Sequence, residues 1–288
     1  MRKGMMPMWL AAAALAGCAP PAQHARPALW EVTGPQGQKG WLFGTIHALA
    51  RPADWRSPVI DRAFAQADTL VVEVRDLEDA AAMADTFARL SRTPGLPPLS
   101  QRVEPGQRSA LARLLAHAKL RERDFFGIET WAAAVMLARL SGPEQNTAYG
   151  IDRAVIRQAG KRQVIELEGT AGQLAIFDRL AEKEQRDLLA LVVSEGGAAR
   201  GEDERLAKAW RTGDFAVIEA ETRSGLLADP ELRAALFTQR NRDWARRLSA
   251  IMAAGARPFM AVGAAHMASS DGVPAMLEQH GLVVTRIQ

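Results

Sequence analysis

Short apolar runs separated by long stretches of helical periodicity constrain this chain more than any other feature, because they dictate a layered α/β fold. Thr69–Val74, Gln163–Glu168, Pro258–Gly263 and Leu282–Ile287 each have the length and composition of a strand. Between them, apolar residues recur three and four apart over Asp79–Leu90, Gln107–Ala118, Thr130–Leu140, Ile151–Ala159, Gly172–Val193, Glu202–Arg211, Pro230–Ala254 and Val273–His280. Pro58–Ala67 reads as a further helical segment. Strands reached through helices belong to a parallel sheet covered on both faces. At the start, Leu29–Thr33 and Trp41–Ile46 flank a Gly-rich connection, Gly34–Gly40, as in an antiparallel hairpin with a longer loop. The expectation is α/β: a central mixed, largely parallel sheet flanked by many helices. Of the 288 residues, 48% are hydrophobic and 24% charged, the balance of an ordinary globular protein. No Pro/Gly/Ser-rich linker interrupts the pattern after Leu29, so residues 29–288 read as a single domain.

The first residues read differently. Arg2 and Lys3 precede an apolar stretch, Met5–Leu15, that ends in Leu15-Ala16-Gly17-Cys18. That is the layout of an export signal, and it is too short to span a bilayer. Leu-Ala-Gly-Cys resembles the lipobox of bacterial lipoproteins. Residues 1–17 are then a cleaved signal peptide and Cys18 the acylated membrane anchor. Ala19 in place of Asp favours sorting to the outer membrane by the same resemblance, which puts the domain on the periplasmic face of a bacterial envelope. Residues 18–28, rich in Pro and Ala, read as an extended, mobile tether. Cys18 is the single cysteine, so no intrachain disulfide can form, and neither a thiol-ligated zinc site nor a cysteine nucleophile is expected. The net charge of +3 is spread over mixed Arg/Glu and Arg/Asp segments and forms no basic block, so nucleic-acid binding is not expected.

Chemistry concentrates in an echo. Phe43-Gly44-Thr45-Ile46-His47 and Val262-Gly263-Ala264-Ala265-His266 both read apolar-Gly-x-x-His at the end of an expected strand. In α/β sheets, sites gather beyond the carboxyl ends of strands, and a glycine there lets a backbone or ligand approach closely. The alternative for each histidine is a structural role, which is the reading for His117 and His280; His24, in the tether, has none assigned. Glu73 interrupts Leu-Val-Val-Glu-Val. Buried, it needs a cation beside it; at the edge of the sheet it simply points to water. Glu166 and Glu168 alternate with apolar residues and so share one face of their expected strand, Glu168 being nearer the carboxyl end. Two imidazoles and a carboxylate are a plausible set for zinc, manganese, cobalt or iron, with a second carboxylate as general base. No compact metal motif such as H-E-x-x-H and no G-x-S-x-G elbow occurs. Ser269 and Ser270 read as caps of the following helix.

These residues resemble the TraB/GumN (TraB/PrgY/GumN, Tiki-like) metalloprotease family. The similarity is carried by Leu-Trp-Glu-Val at Leu29–Val32, Trp41–His47, Val71–Val74, Tyr149-Gly150-Ile151-Asp152, Leu167-Glu168-Gly169 with Gln173, Trp210-Arg211-x-Gly213-Asp214, Arg240-Asn241-x-x-Trp244 and Ala261–Met267, in that order from Leu29 to the C-terminus. The resemblance implies a domain of the erythromycin-esterase and haem-binding-lipoprotein type. It also implies a metal centre of His47, His266 and Glu73, with Arg240 nearby to clamp a substrate carboxylate or an oxyanion. Glu168 joins Glu73 and Arg240 as a candidate catalytic residue, although Glu168-Gly169-Thr170 departs from the Glu-Thr of relatives. Asp152, at a helix start, reads chiefly as a cap, and the resemblance keeps it as a second-rank candidate for the site. The implied function is a metal-dependent peptidase acting on a peptide or protein of the envelope. The alternative on the same scaffold is a non-catalytic lipoprotein that binds haem or peptide.

Overall fold

The computed structural model describes residues 20–141, 146–195 and 199–288. The signal segment and Cys18 lie outside the described residues. Among the described residues, eight strands occur: β1 (Gln23–His24), β2 (Leu29–Thr33), β3 (Lys39–Thr45), β4 (Ala53–Asp54), β5 (Thr69–Val72), β6 (Gln163–Glu166), β7 (Pro258–Gly263) and β8 (Val283–Arg286). Six form one sheet in the order β6-β5-β7-β3-β2-β8. β6, β5, β7 and β3 are parallel neighbours, while β2 runs antiparallel to both β3 and β8. The fold is therefore α/β with a mixed, mostly parallel sheet in a single domain, as the alternation of apolar runs and helical periodicity requires.

Strand alternation sends successive side chains to opposite faces. Leu70 and Val72 join Phe43, Phe259 and Ala261 against the helices Pro58–Gln66 and Ile151–Arg157. Val71, Met260 and Val262 pack with Trp244, Leu248 and Met252 of the helix Gln239–Ala253 on the other face. A third, all-helical core gathers around Trp131 and Leu137, with Leu111, Leu115, Leu189 and Val193.

Register fixes the geometry of the sheet edge. Thr45 lies opposite Gly263, and Val72 lies opposite both Ala261 and Glu166, so four parallel strands end side by side.

Several expectations are corrected. β5 stops at Val72 and β6 at Glu166, so Glu73 and Glu168 lie beyond their strands and Glu166 and Glu168 do not share a strand face. Pairing ends there because the N–H groups of Glu168 and Gly169 both turn onto the Glu73 carbonyl, at 3.0 and 3.1 Å. The stretch Gly172–Val193 is two helices, Gly169–Asp178 and Glu182–Glu195. They break where Leu180 turns in to pack on Leu232 and Leu236, and Gln185 donates back to the Leu180 carbonyl at 2.9 Å. Packing outweighs local helix continuity at this point. Pro230–Ala254 is continuous but contains a π-helical turn at Ala234–Thr238. Ser269 and Ser270 do not cap the helix Val273–Gln279, whose cap is Gly272 with no side-chain bond; Ser269 sits at φ 65° with its hydroxyl against Thr222. Residues 23–28, assigned from composition to a mobile tether, are docked. β1 pairs with β4, Ala25 and Ala28 are buried, and the Arg26 N–H donates to the Arg211 carbonyl at 2.6 Å. Among the described residues, no helix is long and apolar enough to cross a membrane.

Candidate active site

Each of the four adjacent strand ends delivers one side chain to a single cluster. β3 leads to His47, β5 to Glu73, β7 to His266 and β6 to Glu168, and Arg240 reaches in from the helix Gln239–Ala253. All five were singled out in the sequence, and the structure brings all five together. Gly263 marks the middle: a Cβ there would lie 3.4 Å from Glu73 Oε1, 3.6 Å from His266 Cδ2 and 3.6 Å from His47 Nε2. Absence of that Cβ keeps the centre open.

His47 is set by the turn Gly150-Ile151-Asp152. The Ile151 N–H donates to the Ile46 carbonyl at 2.8 Å, which lays this turn directly on the end of β3. A Cβ at Gly150 would fall 2.3 Å from the His47 carbonyl oxygen, so only glycine permits the approach. Asp152 then accepts from His47 Nδ1 at 2.9 Å and also from the Thr45 hydroxyl. It is not the cap expected of it: Gly150 takes the cap position, and the Asp152 carboxylate serves His47 from within the first helical turn. The carboxylate raises the His47 pKa from 6.5 to about 10, against the opposing effect of burial. Water around a side chain that is 67% exposed screens the pair, but the direction, an imidazolium that persists above neutral pH, follows from the carboxylate contact.

Glu73 is buried, which excludes the reading that it points to water at a sheet edge. Its Oε1 accepts from the Gly263 N–H at 2.7 Å, and its Oε2 from Gln173 Nε2 at 3.1 Å and Arg240 at 3.0 Å. Arg240 also holds Glu168 through two bonds of 2.6 and 2.9 Å. A bidentate guanidinium between two carboxylates offsets the cost of burying all three charges. Burial lowers the Arg240 pKa, and the bonds and charges of Glu168 and Glu73 more than reverse this. Burial raises that of Glu168, and Arg240 only partly opposes it.

His266 is buried, stacked on Phe237 with ring centroids 5.0 Å apart and against Trp244 at 4.5 Å. The Asn241 amide donates to the Asp271 carbonyl at 2.7 Å, which turns its Oδ1 to His266 Nδ1 at 2.6 Å. Nδ1 therefore carries the proton and Nε2 presents its lone pair, 3.3 Å from Arg240. Burial first, then the positive charges of Arg240 and His47, hold the pKa well below 6.5, so the ring is neutral at pH 7. Asn241, Gln173 and Thr45 are the partners that sequence reasoning did not assign, and Asp152, a second-rank candidate there, is the partner of His47. Asn241 and Gln173 sit in the motifs shared with relatives, but a positioning role has no signature in one sequence.

The donor set fits a divalent metal in kind. Both imidazoles have Nδ1 held by an oxygen acceptor and Nε2 turned inward, the orientation of metal-ligating histidines, and Glu73 supplies a carboxylate. In position, Arg240 already bonds Glu73 Oε2 and His266 Nε2, and among the described residues no three His, Cys, Asp or Glu side chains sit as a metal-binding group. Arg240 and a metal ion thus compete for the same two donor atoms, Glu168 being the partner to which the guanidinium remains tied.

A polar centre at the carboxyl edge of a mostly parallel sheet, walled by helices, defines an α/β domain of the kind whose crevices bind ligands. The chain belongs to the TraB/PrgY/gumN family, whose profile matches residues 28–286. Comparison with curated proteins and with solved structures gave no match.

Proposed function

We propose that this chain is an envelope-anchored, metal-dependent peptide hydrolase, tethered through acylated Cys18 to a bacterial, outer-membrane surface and acting on a peptide or protein substrate on the periplasmic side. The observation that carries the reading is the convergence of His47, Glu73, His266, Glu168 and Arg240 from four neighbouring strand ends and one helix. His47, His266 and Glu73 would hold the ion. A zinc, manganese, cobalt or iron ion held there would supply Lewis-acid chemistry, activating water and polarising a carbonyl. The protein's own groups set the rest. Arg240, fixed by Glu168, places a permanent positive charge where an oxyanion develops. Neutral His266 offers a lone pair at Nε2, while Asn241 prevents its ring from turning. His47, its Nδ1–H held by Asp152, would present Nε2 to the ion as a neutral imidazole, giving up the proton it carries in the metal-free protein. With Glu73 on the ion, Glu168 would be the second carboxylate, available as general base. Metal analysis of the purified full chain is expected to give a stoichiometric divalent ion, lost in His47→Ala and His266→Ala, together with chelator-sensitive cleavage of peptides. Neither metal nor hydrolysis would reject the reading.

One observation favours a binding role instead. Both carboxylates and His266 already have their hydrogen bonds satisfied within the protein, as in a site that holds a ligand without transforming it. Tight peptide binding that survives Glu73→Gln without turnover, or a Soret band on addition of haem, is the result that reading predicts.

A further inference from the structure

The cluster of His47, Glu73 and His266 lies between two large cavities whose walls are apolar over most of their area, with charged residues such as Glu78, Arg139 and Glu221 among them. A small cleft of about 160 Å³ holds His47, Glu73 and Asp152. Leu77, Arg153 and Gln173 line this cleft and also a second, much larger cavity of about 770 Å³, so the two adjoin. The wall of the larger cavity is built by Met83, Phe87, Val135, Met136 and Leu174. On the other side, His47 and His266 border a cavity of about 520 Å³ walled by Ile46, Leu206, Trp210, Ile218, Leu226 and Leu227. Both large cavities fall in the range of about 300–1,000 Å³ that ligand pockets occupy.

The helix Ala80–Leu90 shows that the larger cavity is built. Met83 and Phe87 stand four apart on its apolar face, and such a face normally packs against the core. Here no residue of the helix is fully buried: Phe87 meets Trp131 of the helical core edge-on, ring centroids 5.6 Å apart, and Met83 and Phe87 also form a wall of the cavity. Between the two apolar chambers runs a polar strip of Gln173, Thr147, Arg153 and His47. A simple acyl chain laid across it would desolvate these groups without replacing their hydrogen bonds. A peptide backbone satisfies the strip with its own N–H and C=O groups while its side chains enter the chambers.

We infer that the two cavities are the halves of one peptide-binding cleft, which seats large apolar side chains on both sides of the bond presented to His47 and Glu73. The inference deepens the proposed hydrolase reading and rests on it for the identity of that bond. It assigns the substrate as an extended apolar segment bound within its length, with Met83 and Phe87 selecting on one side and Leu206 and Leu226 on the other.

The test separates binding from cleavage by using a heptapeptide whose central amide is replaced by a non-hydrolysable methylene-amine. One version carries Leu and Phe on either side of that bond, and the other carries Ser and Asn. With the full chain in phospholipid nanodiscs, fluorescence anisotropy is expected to show the apolar probe binding about tenfold more tightly or better, since each buried apolar side chain is worth that much. Met83→Asp and Leu226→Asp, both at half-buried positions, should each weaken the apolar probe by roughly fivefold or more and leave the polar one unchanged. Met83→Leu should restore the affinity. Equal affinity for the two probes in the unmodified protein overturns the inference, whatever the variants do, as does dodecanoate displacing the apolar probe at equal concentration. Preferential binding of the apolar probe without cleavage of its ordinary amide counterpart keeps the cleft and removes the hydrolase reading.

Discussion

Removing the charge of Asp152 is the sharpest change available at His47, because one carboxylate sets both the ring's orientation and its protonation. In Asp152→Asn the His47 pKa should fall from its raised value towards 6.5, while His266, held neutral by burial and by Arg240, should not move. Histidine ring chemical shifts followed against pH in metal-free protein check this directly; an unchanged His47 titration would mean that some other group holds the proton. Arg240 supports a second expectation. Because its guanidinium occupies Glu73 Oε2 and His266 Nε2, Arg240→Gln should bind a divalent ion more tightly than the unmodified protein, read by calorimetry with manganese. Weaker binding in the variant would show that Arg240 assists the ion and does not compete with it. At this scale the sequence exposed the clustered groups well, since two histidines each three residues after a glycine and a carboxylate inside an apolar run are local anomalies. It exposed their partners poorly: Asp152 looked like a cap because any Asp in a first helical turn does, and Asn241 bonds His266 from 25 positions away.

At the level of elements, the site depends on where strands stop and how two segments are seated. The turn Gly150–Asp152 lies on the His47 carbonyl so closely that Gly150→Val should cost about 1–3 kcal/mol, the usual penalty for forced overpacking, and should loosen the His47–Asp152 bond as well. Thermal denaturation measures the first effect and the His47 titration the second. The π-helical turn Ala234–Thr238 carries one residue more than an α-helical path, a feature common at functional sites. It allows Leu232 and Leu236 to face Leu180 while Trp244 and Leu248 face the sheet. Deleting Ala235 should drive one of these sets out of its core and cost about 2–5 kcal/mol, as loss of a buried large side chain does. Urea denaturation is the check, and a neutral deletion would contradict the account. Helix periodicity was readable along most of the chain, but the break at Arg179–Ala181 and the ends of β5 and β6 were not. Those boundaries are decided by Leu180 packing against a distant helix and by N–H groups converging on the Glu73 carbonyl, and neither leaves a local pattern.

On the scale of the whole molecule, the mostly parallel sheet turns four distant segments into one edge, and this was legible because apolar strands separated by helices admit few arrangements. The docking of residues 23–28 was not, since Pro/Ala composition describes the segment and not the groove that receives it. A soluble form beginning at Leu29 should therefore melt at a lower temperature than one beginning at Pro20, having lost the β1–β4 pairing and the burial of Ala25 and Ala28. Stability should also depend on pH in two opposed ways. His47, raised in the folded protein, contributes stability that is complete below 6.5 and is lost as pH rises towards about 10. His266, held neutral, costs stability below 6.5, where the unfolded chain takes up a proton that the folded chain refuses. The central claim is that the cluster at this sheet edge hydrolyses peptides. Its most direct test is mass-spectrometric detection of cleavage in a mixed peptide library by the full chain, compared with His47→Ala, Glu73→Gln and His266→Ala. The account predicts cleavage by the unmodified protein that falls about 10²–10⁴-fold in each variant, and undiminished cleavage in all three would contradict it.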